Sequence, residues 1–103
     1  MDSPSDLDLE FRERERILAS WVEVREQIAA LEARATGLLI EQMDQHDRDV
    51  AEFPGHRESI YRSMVAEFAA AGRVSKGSME YAFADARRVR DWLPAVRSSA
   101  QEG

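Results

Sequence analysis

Cysteine and asparagine are both absent from this chain, and lysine occurs once, at Lys76. Without cysteine no disulfide can form and thiolate zinc sites are excluded. That suits a reducing compartment, and the cytoplasm is the expected location. No stretch approaches the roughly 18 consecutive apolar residues of a membrane span. The opening MDSPSDLDLE is acidic, with neither a basic region nor an apolar run, so no signal peptide is expected. Sustained apolar–polar alternation is missing, which argues against strands. The H-E-x-x-H metal motif and the G-K-[ST] ending of a phosphate loop are also missing. The serines sit near termini and helix starts, where capping accounts for them. We therefore expect no catalytic residue, no cofactor, no metal site and no small-molecule substrate: the chain does not read as an enzyme.

What is present is charge and helical periodicity. The 103 residues carry a net charge of −6, unevenly spread. Residues 1–52 hold 14 acidic and 6 basic side chains, whereas residues 53–103 hold 6 acidic and 8 basic. From Leu7 onward apolar residues recur in alternating steps of four and three: Ile17, Trp21, Val24, Ile28, Leu31, Ala35 and Leu38. This is the stripe of a long helix, placed at about 7–47. Arg12 to Arg16 alternate in sign, as on a solvated helix face. Phe53-Pro54-Gly55 breaks the pattern, because proline biases its predecessor away from the helical region. A second helix is expected at about 57–72, ending at Gly72. A third is expected at about 76–92, entered through Ser75 as N-cap and ended or kinked by Pro94. The predicted fold is all-α: one helical domain over 7–96, with a disordered N-terminus over 1–6 and a flexible tail over 97–103.

The second and third helices have the grammar of a helix-turn-helix. Ala69 is the small residue facing the partner helix, Val74 the apolar residue of the turn, Ser75 the cap and Met79 the anchor. Arg73 stands where glycine is commonest. If this pair docked on DNA, Lys76, Ser78, Tyr81, Arg87, Arg88 and Arg90 would make the contacts, mostly to phosphates. Glu80 and Asp85 on the same helix oppose that, and a packing motif is the preferred reading. Asp44, His46, Asp47, Asp49, Glu52 and His56 crowd the first break, at the expected helix end and loop; they read as an exposed acidic loop with two surface histidines rather than as a metal site.

The segment MVAEFAAAGRVSKGSMEYAFADARRVRDWLPAV resembles part of the actinobacterial thirteen-E-twelve repeat family, a domain of unknown function (two-two-two). Ala66, Glu67, Ala69, Arg73, Val74, Ser75, Ala86, Arg87, Leu93 and Pro94 carry the likeness, and LEARATGLLIEQ is similar to that family's long helix. Members often end in an HNH endonuclease domain that cuts DNA with a bound metal. The resemblance implies the helical N-terminal region of such a protein. It implies no nuclease activity here, because a chain with no asparagine and two histidines cannot hold a complete HNH motif.

The expected function is therefore a non-catalytic helical interaction or oligomerisation module, with a DNA-binding accessory domain as the alternative. Its surface would be Ile17, Trp21, Val24, Ile28, Leu31 and Leu38. The partner would be a second copy or another helical protein, since helices of roughly 25 Å laid side by side cannot cover a first helix of roughly 55 Å.

Overall fold

Ser5 opens the first helix. Its Oγ accepts the backbone N–H of Asp8 at 3.1 Å, which is N-cap geometry, and Asp6 and Asp8 place negative charge at the positive end of the helix dipole. The computed structural model describes residues 5–102, and side chains as far as residue 92. Helix α1 runs Asp6–Glu52, a 3-10 turn covers Pro54–His56, α2 runs Arg57–Gly72 and α3 runs Lys76–Glu102. The fold is all-α, with no strand among the described residues.

Three local expectations change. Ser5 and Asp6 belong to the capped start of α1, while the expectation for residues 1–4 lies outside the described residues. Helix α1 continues to Glu52 instead of ending near residue 47, because Val50 still has core to meet and only Pro54 stops the chain. Helix α3 passes through Pro94 to Glu102, so the tail expected from residue 97 is helical up to that point. Proline removes one hydrogen bond, the one its missing N–H would give the Arg90 carbonyl, and the helix tolerates that loss.

The chain falls into two compact units, Met1–Arg34 and Ala35–Gly103. The physical reason lies in where burial occurs. Every buried residue among those described falls between Met43 and Ala86. The first unit consists of the first 29 described residues of α1, and none of its side chains is buried.

In the second unit the core joins Met43 of α1 to Met64, Val65 and Ala69 of α2 and to Met79 and Phe83 of α3. The spacing explains the assembly. Leu39, Met43, His46 and Val50 recur in steps of four, three and four; so do Met79, Phe83, Ala86 and Arg90. Phe83 and Met43, each 1% exposed, are the largest enclosed side chains. Phe68 meets Phe83 edge to face, with centroids 5.3 Å apart. Three methionines give this small core an adaptable filling.

The turn between α2 and α3 is tight, and Arg73 makes it so. It sits in the left-handed region at φ 56°, ψ 43°. Its N–H donates to the Ala70 carbonyl at 3.3 Å, and the Val74 N–H donates to the Ala69 carbonyl at 3.0 Å. These are the two bonds of a Schellman motif, usually built on glycine. Ser75 then caps α3, its Oγ accepting the Ser78 N–H at 3.0 Å. Ala69 and Met79 are buried where the helix-turn-helix pattern puts them, whereas Val74 stays about half exposed.

Candidate interaction surface

The heptad positions of the first unit face water. Ile17 is 55% exposed, Trp21 60% and Leu31 63%; Val24 is exposed and Ile28 half-buried. A solvated tryptophan flanked at four and three residues by Ile17 and Val24 is an uneconomical surface for a monomer, because each such side chain forgoes roughly 1.5–3 kcal/mol of burial. The apolar face is wider than the heptad stripe. Leu7, Phe11 and Leu18, at steps of four and seven, are exposed as well. Leu7 keeps the register of Trp21 two heptads earlier, whereas Phe11 and Leu18 lie beside the stripe; the count from Ile17 missed all three, and their own helical spacing was the available signal. Contiguous exposed apolar residues of this extent mark contact surfaces.

Charges border the face. Arg16 donates to Glu13 one turn earlier, and that hydrogen bond holds the Glu13 carboxyl below its ordinary range and the guanidinium above its own. Both groups are solvated, so the pair contributes little to stability.

Leu38 separates from the other five. It belongs to the second unit and is 56% exposed, while its neighbour Leu39 packs against the core. At 100° per residue the core positions 39, 43, 46 and 50 lie roughly 100° around the helix from Leu38. Leu38 therefore lies off the buried side of α1, because the four–three count had drifted round the helix by that point.

On α3, Lys76, Ser78, Tyr81, Arg87 and Arg88 are exposed. Arg90 is not available as the sequence reading had it. Its guanidinium donates to Asp44 at 3.0 Å and to Asp47 at 2.8 Å, with Asp91 also in reach. The residue follows Ala86 on the buried side of α3, so a cation there must find carboxylates, and α1 presents two. Those hydrogen bonds, led by Asp47, raise the Arg90 pKa further above its ordinary value. Arg88 is paired with Asp85 at 2.6 Å. The Ser78 hydroxyl accepts from Ser75 at 2.9 Å, within the capping arrangement.

Asp44, His46 and Asp47 also differ from their expectation. They lie on a helix, not in a loop, and His46 is buried at 6% exposure. Its Nδ1 donates to Asp47 at 3.1 Å, its ring meets Tyr61 edge to face, and its Nε2 has no partner. Burial pushes the Asp47 carboxyl up. The hydrogen bonds from His46 and Arg90, with the charges of Arg90 and Arg87, outweigh it and hold the group below its usual range. This cluster borders an open cleft of about 760 Å³ floored by Met43, Val50 and Phe83 and rimmed by Arg57, Tyr61 and Arg87. Among the described residues, no three or more histidines and carboxylates gather in a way that could hold a metal ion. No described helix is long and apolar enough to cross a membrane.

No protein-family model, curated protein or solved structure matches the chain.

Proposed function

We propose that the protein is a non-catalytic helical interaction module that self-associates through Ile17, Trp21, Val24, Ile28 and Leu31. One observation carries this reading. Four of these five large apolar side chains stand exposed and the fifth half-buried, at heptad spacing, on a continuous helix. A seam of this kind gains its burial by packing against another helix, knob into hole. The absence of cysteine fits work in a reducing cytoplasm. The likeness to the thirteen-E-twelve family is compatible with such a role, as the helical region of a larger protein class. The alternative, a DNA accessory domain, has weaker support. Of its six contact residues Arg88 and Arg90 are already paired with carboxylates, and Glu80 and Asp85 share the helix.

Sedimentation across the micromolar range tests the proposal. The wild type is expected to form dimers or higher species. Leu31→Glu, which places a charge in the seam, is expected to leave a monomer of unchanged helical content. A wild type that stays monomeric at high micromolar concentration overturns the reading.

A further inference from the structure

We propose that the occupant of this apolar face is a second copy of the same chain running antiparallel, with Trp21 opposite the partner's Leu31 and Val24 opposite the partner's Ile28. The arrangement rests on the self-association reading above and adds its direction and register.

The bordering charges decide the direction. With Trp21 and Ile28 at a positions and Ile17, Val24 and Leu31 at d positions, the flanking e positions hold Leu18, Arg25 and Glu32. The flanking g positions hold Glu13, Ser20, Gln27 and Arg34. A parallel pair sets each g residue beside an e residue of the other helix five places on. That gives Glu13 with Leu18, Ser20 with Arg25 and Gln27 with Glu32, and no pair of opposite charges. An antiparallel pair sets e beside e and g beside g. Arg25 and the partner's Glu32 are then offset by about 7.5 Å along the axis, a span their long side chains bridge, and symmetry forms the same pair a second time; these two attractions outnumber the single approach of the two Arg25 side chains near the two-fold.

Arg25 and Glu32 are suited to that use because their own helix gives them no counter-charge. Three and four residues either side of Arg25 stand Trp21, Val22, Ile28 and Ala29; around Glu32 stand Ile28, Ala29, Ala35 and Thr36. Three exposed pairs do form along their own helix, Glu13 with Arg16, Glu58 with Arg62 and Asp85 with Arg88. Neither Arg25 nor Glu32 makes an ion pair among the described residues.

Packing points the same way. A parallel in-register dimer stacks two Trp21 rings in one layer. The antiparallel register alternates a large side chain with a smaller one in each layer and passes its two-fold axis close to Glu26.

Two measurements on the whole chain test this. With no native cysteine, Arg12→Cys gives a single spin-label site on the outer side of α1. At 1.5 Å per residue, antiparallel dimers place the two labels roughly 45 Å apart, whereas parallel dimers keep them within about 25 Å. Arg25→Glu is expected to raise the dimer dissociation constant about tenfold, by turning two attractions into repulsions, and Arg25→Glu with Glu32→Arg to restore it. A dimer with the short label distance, or with no rescue in the double variant, overturns the antiparallel arrangement and leaves self-association standing. A monomer by sedimentation overturns both.

Discussion

Asp47 shows how much one carboxylate can do in a small core. It receives His46 from its own helix and Arg90 from α3, and so ties the end of the buried stripe of α3 to α1. Its pKa is held below the unfolded value, so the folded state binds its proton less readily than the unfolded state does. The stability it contributes is fully present above the unfolded pKa, and is lost as pH falls through the folded one. Resistance to urea is therefore expected to fall below about pH 4. Asp47→Asn should flatten that acid limb while lowering stability at neutral pH. An acid limb identical in wild type and variant would remove Asp47 from this role. The half-exposed position of the carboxylate keeps the effect modest.

At the scale of elements, the junction between α2 and α3 is the most determined part of the chain. The Schellman bonds end α2 and the Ser75 cap starts α3 after a turn of three residues. The weak member is Arg73, whose Cβ is strained in the left-handed region by about 1 kcal/mol. Arg73→Gly relieves that strain but adds freedom to the unfolded chain. The net gain expected is about 0.5 kcal/mol at most, read as a slightly higher urea midpoint with an unchanged slope. A lower midpoint would mean that the arginine side chain makes a contact outweighing its backbone strain. Helix α1 is the contrasting case. Its cap, its mixed-sign flank and its long four–three stripe specify a helix along its whole length, yet its buried side chains begin only at Met43.

For the molecule as a whole, the two units depend on different things. The second stands on a core of six buried side chains centred on Phe83. Phe83→Ala is expected to cost about 3–5 kcal/mol, a large share of the stability of so small a domain. The measurement is thermal melting followed at 222 nm, and a shift of only a few degrees would show that Phe83 is not the keystone of the core. The first unit has no buried side chain of its own among the described residues, so the gain from its apolar face waits on a partner.

The sequence by itself determined the helices, the break at Pro54, the capping by Ser75 and the apolar seam from Ile17 to Leu31. All of these follow from periodicity, proline geometry and local hydrogen bonding, which act within a few residues. Only the tertiary structure decided that Arg90 is spent on Asp44 and Asp47, that His46 is buried, and that Leu38 and Leu39 part company. Those outcomes depend on which faces meet between residues far apart in the chain, 43 and 46 residues apart for the bonds of Arg90. The four–three count ran on to Leu38, off the buried side, because a heptad drifts about 20° per repeat against a true helix. Where the drift comes to matter is set by what packs alongside.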